Sequence, residues 1–174
     1  MSTLPYYFTQ GSAVVLNGEI HILGSGNSSH YTKHYKWNGS SWISVSTLPY
    51  SFYRGSAVVY NNEIHILGSG NSSYYTRHYK WNGSSWTSVS TLPYQFYDGS
   101  LAVLNNEIHI LGGNGGGTKH YKWNDSSWIS ASTLPYSFYD GSLVILNNEI
   151  HILGCTSSST KHYIIQGKYY KEVA

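Results

Sequence analysis

Residues 56–68 run Ser56-Ala57-Val58-Val59-Tyr60-Asn61-Asn62-Glu63-Ile64-His65-Ile66-Leu67-Gly68. A five-residue apolar run, two asparagines able to take positive φ, and a second five-residue run predict a β-hairpin with a two-residue turn. The same pattern returns at 12–24, where the turn is Asn17-Gly18, the strongest short-range hairpin signal, and again at 100–112 and 142–154. Beyond Gly68, Arg77-His78-Tyr79-Lys80-Trp81 alternates polar and aromatic residues. Asn82-Gly83 is then expected to form another tight turn, and Ser85 to Val89 a fourth strand. Each such segment is expected to be a four-stranded antiparallel meander, and no helix fits the pattern.

The meander repeats. The 174-residue chain divides into 2–45, 46–89, 90–131 and 132–173, repeats of 44, 44, 42 and 42 residues that cover it almost completely. Each opens on STLPY, passes through a Gly-Ser-apolar run and EIHILG, crosses a Gly/Ser/Asn/Thr stretch and reaches His-Tyr. The first three close on Trp-Asn-[Gly/Asp]-Ser-Ser-Trp; the last ends instead on Ile165-Gln166-Gly167-Lys168-Tyr169-Tyr170-Lys171-Glu172-Val173. A unit of this size cannot bury both faces of its sheet alone, so neighbouring units must stack. Four-stranded meanders at this period predict an all-β fold of propeller blades rather than a solenoid.

The apolar first strand, EIHILG followed by Gly113 in the third repeat, the Trp81-Asn82-Gly83-Ser84-Ser85-Trp86 ending and the Leu-Pro before each blade together resemble the kelch family across all four repeats. The resemblance implies a β-propeller. The sequence departs from that pattern where Ser25, Ser69 and Cys155 take the place of a second glycine. It departs again where Phe8, Phe52, Phe96 and Phe138 stand in place of an arginine after Leu-Pro. Four blades closing alone would each turn by about 90°, near the lower end of the propeller range. Two copies joined as half-rings would give eight blades at about 45° each and would bury both open faces. The expectation is therefore an eight-bladed homodimer, with a closed four-bladed monomer as the alternative.

Composition narrows the function. The balance of 10 Lys+Arg against 8 Asp+Glu, a net charge of +2, provides no electrostatic footprint for nucleic acid or an anionic membrane. With 6 Trp, 18 Tyr and 4 Phe the chain has ample material for a core, which argues against disorder. The single cysteine, Cys155, excludes an internal disulfide and a multi-cysteine zinc site. No apolar run approaches a membrane span, and the opening MSTLPYYFTQGS lacks the basic and apolar regions of a signal peptide. A soluble protein, cytoplasmic by default and without a cofactor, is expected.

In such a blade the loops between strands two and three and the loops between blades emerge on one side, while the minimal turns emerge on the other. The long-loop side is the expected binding face. Its interblade loops end in Thr9-Gln10, Tyr53-Arg54, Tyr97-Asp98 and Tyr139-Asp140. Tyrosine beside Ser, Asn and Gly makes an adaptable recognition surface, so Tyr53, Arg54, Tyr97, Asp98, Tyr139 and Asp140 are the candidate ligand-binding residues, for a protein segment or a glycan. The fixed phenylalanines are read as staples between blades. Trp42, Trp86 and Trp128, which open the outer strands, are read as anchors of each blade.

Catalytic and metal readings are weaker. Histidines recur as His21, His65, His109 and His151 on second strands and as His34, His78, His120 and His162 on third strands. Equivalents on different blades stand at least a sheet spacing of about 10 Å apart, too far for one zinc ion; neighbouring columns within a blade, such as His21 with His34, leave a local metal possibility, and packed, hydrogen-bonded histidines are the expectation. Asp98 and Asp140 suggest a glycosidase pair, but equivalent loop positions need not bring two carboxylates within roughly 5 to 9.5 Å. A copper-radical oxidase would require a tyrosine linked to cysteine, whereas Cys155 stands where Ser25, Ser69 and Gly113 are its counterparts, and it is read as structural. Gly115-Gly116-Gly117 leads into a strand and lacks the helix terminus that would cradle phosphate. A noncatalytic, self-assembling binding scaffold is the resulting expectation, with a glycan-active enzyme and a purely assembling module as alternatives.

Overall fold

The computed structural model describes residues 3–155, 160–166 and 169–173, with the side chains of residues 166, 169 and 170 outside the description. Its strands form four antiparallel four-stranded sheets, one per repeat, each in simple sequence order. Blade 1 comprises β1 (Ser12–Leu16), β2 (Glu19–Leu23), β3 (Lys33–Trp37) and β4 (Trp42–Thr47), and blade 2 comprises β5 (Ser56–Tyr60), β6 (Glu63–Leu67), β7 (Arg77–Trp81) and β8 (Trp86–Thr91). Blade 3 comprises β9 (Ser100–Leu104), β10 (Glu107–Leu111), β11 (His120–Trp123) and β12 (Trp128–Ser130), and blade 4 comprises β13 (Ser142–Leu146), β14 (Glu149–Leu153), β15 (His162–Gln166) and β16 (Tyr169–Glu172). The architecture is all-β and propeller-like.

The first hairpin turn forms as its residues dictate: Asn17 and Gly18 take φ of 52° and 78°, and Asn61 and Asn62 take 50° and 60°. The second turn differs from expectation. Trp81 pairs with Trp86, so four residues rather than two connect β7 to β8, and the fourth strand starts one residue later and runs to Thr91. The reason is local. Asn82 Oδ1 accepts from the Ser84 and Ser85 amides at 3.0 and 2.9 Å, an Asx cap that holds the wider loop, and the same cap forms at Asn38 and Asn124. A register shift between His78 and Tyr79 adds a bulge that bends the outer pair. Two single-turn 3-10 helices, Ser28–His30 and Ser72–Tyr74, also depart from an all-strand reading. Asn27 and Asn71 cap them.

The chain divides into two compact units, residues 1–92 and 93–174, each holding two blades. In the first unit, blade 1 turns Val14, Leu16, Leu23 and Leu48 toward Ala57, Val59, Ile64, Ile66, Tyr79 and Trp81 of blade 2. These are alternate residues of successive strands, so within each unit the first blade turns one face toward the second and the second turns the opposite kind of face back. In the second unit Ala102, Leu104, Leu111 and Leu134 of blade 3 meet Leu143, Ile150, Ile152, Tyr163 and Ile165 of blade 4 in the same way. Phe52, Phe96 and Phe138 have no exposed surface, as staples require, and Phe8 is half-buried.

The glycine that closes EIHILG sits at the junction within each unit. Gly24 (φ 63°) and Gly112 (φ 61°) lie against the Phe52 and Phe138 carbonyls of the following blade, which a Cβ would approach to 1.9 and 1.8 Å. A side chain there is excluded both by conformation and by a neighbouring backbone. One residue on, buried Ser25 and Ser69 donate to the Tyr7 and Ser51 carbonyls at 2.8 and 2.7 Å, tying the strand end to its own interblade loop. Cys155 takes the equivalent place in blade 4, 8 % exposed in the apolar cluster, consistent with a structural residue.

Candidate functional site

The long-loop face is built differently in the two units. In the first, the STLPY tyrosines are structural: Tyr6 and Tyr50 donate their hydroxyls to the Gly24 and Gly68 carbonyls at 3.0 and 3.1 Å. Tyr53, in contrast, lies over the neighbouring blade's loop. Its ring stacks on Tyr31 with centroids 4.7 Å apart and planes 17° from parallel. It is half-buried, its hydroxyl is pushed above the usual tyrosine range first by desolvation and then by Tyr31 and Tyr75, and nearby Arg54 opposes that rise.

Arg54 takes φ 56°, and its amide donates to the Gln10 carbonyl at 2.7 Å. Gly70 clears the space beneath both residues: a Cβ there would come within 2.7 Å of the Tyr53 ring and 3.2 Å of Arg54 Cδ. The result is a stacked aromatic pair with a guanidinium and a third phenol, Tyr75, close by. Two members, Tyr31 and Tyr75, were not among the sequence candidates. Their signal was present in Asn27-Ser28-Ser29 and Asn71-Ser72-Ser73, capped turns that place Tyr31 and Tyr75 directly after a 3-10 helix.

In the second unit the loop between strands two and three carries a triple glycine, Gly115 to Gly117. Tyr97 is half-buried, and its carbonyl accepts from Asn114 at 2.8 Å; Tyr139 is half-buried beside fully buried Phe138. A Cβ at Gly115 would lie 2.3 Å from the Gln95 carbonyl oxygen and one at Gly116 2.0 Å from that of Gly112, so this loop packs closely on the Gln95 and Gly112 backbone. Its role is packing. Asp98 and Asp140, at φ 55° and 54°, are adjacent: the Asp140 amide donates to the Asp98 carbonyl at 3.0 Å. The backbones of these equivalent interblade positions therefore touch, because the loops meet at strands β9 and β13, which lie side by side.

The histidine columns resolve into pairs inside each blade. Because Leu23 pairs with His34 and His21 with Lys36, His21 and His34 are diagonal neighbours on one face. Their Nδ1 and Nε2 stand 2.9 Å apart, and the corresponding distances in His65–His78, His109–His120 and His151–His162 are 2.8, 2.9 and 2.9 Å. Two nitrogens aimed at each other share a proton. His34 Nδ1 also meets Ser46 Oγ at 3.2 Å, and His78 Nδ1 meets Ser90 Oγ at 3.0 Å, which engages both nitrogens of each ring. Burial lowers the pKa of His34, His78 and His120 to about 3, with the partner histidine a smaller cause, so these rings are neutral. Among the described residues no group of three or more His, Cys, Asp or Glu is placed to hold a metal ion.

No family model matches the chain, and no curated protein does. Solved structures do match, 164 chains in all. One of them, YjhT, aligns with a TM-score of 0.84 over 98 % of this chain at 13 % sequence identity. This chain spans 66 % of the YjhT chain. A likeness at that identity is one of fold.

Proposed function

We propose that this chain is a noncatalytic, kelch-like propeller scaffold that binds a polar ligand, a protein segment or a glycan, on its long-loop face. The observation behind this reading is the Tyr31–Tyr53 stack with Arg54 and Tyr75 beside it. Tyrosines held by stacking lose little entropy on contact, and a guanidinium supplies forked donors to a carboxylate or hydroxyl. The test is a glycan and peptide array followed by titration of the best ligand. Tyr31→Ser with Tyr53→Ser should abolish binding while the circular dichroism spectrum stays unchanged. Unchanged affinity in the folded double variant would contradict the assignment. The proximity of Asp98 and Asp140 gives the glycan-active alternative its one support; turnover of a glycan lost in Asp98→Asn would favour it.

Self-assembly is the second part of the proposal. In blade 1 Leu16 and Leu23 are 6 % and 0 % exposed because blade 2 covers them, whereas their equivalents in blade 4, Leu146 and Leu153, are 55 % and 39 % exposed. On the opposite kind of face, Ile64 of blade 2 is fully buried while Ile20 of blade 1 is 42 % exposed. The forward face of blade 4 and the rear face of blade 1 thus present, uncovered, the residue types that mate between blades 1 and 2. A second copy has the matching surface at each junction, and two such junctions close an eight-bladed ring that grows no further.

A further inference from the structure

The junction between blades 1 and 2 turns on an imidazole covered by two indoles. Trp81 and Trp86 of blade 2 both pack edge-on against His34, at centroid distances of 5.5 and 5.7 Å, and His34 has no exposed surface. Both halves of this joint recur in the chain, less enclosed. On the rear face of blade 1, Trp37 and Trp42 form the same tilted pair, 5.6 Å between centroids as in Trp81 and Trp86. Trp37 pairs with exposed Ile20 and is half-buried, whereas Trp81 pairs with buried Ile64 and is itself buried. On the forward face of blade 4, His151 and His162 keep the 2.9 Å contact of His21 and His34. His162 is half-buried, and Leu146 and Leu153 on the same face are exposed.

On the reading that two copies pair, we propose that Trp37 and Trp42 of one copy seat on His162 of the other, and that this joint opens when the His151–His162 pair takes up a proton. Indoles laid over an imidazole strip it of the water that would solvate its cation. Burial does this to His34, holding its pKa at about 3, with His21 and Lys36 as lesser causes. A joint of the same build therefore closes on a neutral pair and must expel a proton from a charged one. The charges around the blade 4 pair favour uptake. Lys36, Lys80 and Lys122 follow the third-strand histidine by two residues in the other blades, and each opposes a charge on it; blade 4 has Ile164 there. Glu149 on β14 precedes His151 by two residues, as Glu19 precedes His21, and a carboxylate favours the imidazolium. Lys161, next to His162, is paired with Glu172 of β16, and Lys171 of the same strand is exposed, where solvent screens it. The surface offered by the other copy, Val15, Ile20, Trp37 and Trp42, carries no charge.

Sedimentation equilibrium of the full chain at about pH 7.5 and pH 5 tests the joint, with circular dichroism at each pH to report the fold. One proton excluded per joint weakens association about tenfold per pH unit below about 6.5, so the dissociation constant should rise at least about tenfold between the two conditions. His162→Gln is neutral at both and should pair with constants within about threefold of each other. His162→Phe, which keeps a flat ring at the joint, should behave alike. Trp42→Ala should weaken pairing at least about tenfold at pH 7.5. A single-chain mass at both pH values overturns the pairing and the joint together. A native dimer of equal affinity at both, or a folded His162→Gln that keeps the native pH dependence, overturns the proton control alone. Undiminished pairing in folded Trp42→Ala overturns the contact.

Discussion

Two glycines show how far one side chain decides a junction. Gly39 and Gly112 both take positive φ, 97° and 61°, but nothing lies within 4 Å of a Cβ at Gly39, whereas at Gly112 the Phe138 carbonyl oxygen would be 1.8 Å away. Alanine at Gly39 should cost about 1 kcal/mol, the conformational term alone. Gly112→Ala must also displace the neighbouring blade's backbone and should cost well over 2 kcal/mol by urea denaturation. Equal costs would mean the junction is not tightly seated. The tryptophans divide similarly. Trp81 is 4 % exposed and its truncation to alanine should cost about 3 to 5 kcal/mol, while half-buried Trp86, changed to phenylalanine, loses mainly its bond to Ser46 and should cost about 1 kcal/mol. Trp86, packed against the same core and against His34, is the less enclosed of the two, so Trp86→Ala should cost less than Trp81→Ala; a larger loss at Trp86 would reverse that ranking.

At the level of the blade, the paired histidines link stability to acidity. His34, His78 and His120 have folded pKa values of about 3, depressed by burial, against about 6.5 in an unfolded chain. Below 6.5 the unfolded chain binds protons that the folded blades refuse. The stabilisation from keeping these rings neutral is therefore complete above about pH 6.5 and is lost progressively as pH falls toward 3, at up to about 1.4 kcal/mol per pH unit for each ring. Urea midpoints measured between pH 7 and 4 should fall steeply, and His78→Gln should flatten the slope; a midpoint independent of pH in that interval would contradict neutral, buried pairs. The blades themselves were legible because alternation, Asn-Gly and Asn-Asn turns and a four-fold repeat all point to one meander. That the histidines are packed and hydrogen-bonded was legible too, but that the two columns bond to each other follows from the strand register, which makes His21 and His34 diagonal neighbours. What escaped was chemistry that depends on side chains shaping loops. The Asn82 cap widened a turn, and the capped 3-10 helices lifted Tyr31 and Tyr75 onto the candidate face. Neither effect follows from hydrophobic periodicity.

Across the whole molecule the repeats are chemically unequal, and the inequalities fall where function is proposed. The Tyr31–Tyr53 stack stands in the first unit, the triple-glycine loop in the second, and the uncovered apolar residues on blades 1 and 4. In the proposed pairing, a second copy covers the exposed aliphatic residues of the first and fourth blades with a surface of the same pattern. Leu146→Asp, introduced on the forward face of blade 4, should dissociate such a pair without unfolding either unit. The most direct measurement is the mass of the native chain in solution by light scattering over a range of concentrations. Pairing into eight blades predicts about twice the 19.5 kDa chain mass, reduced to the single-chain value by Leu146→Asp. A constant single-chain mass for the native protein at high concentration would contradict it.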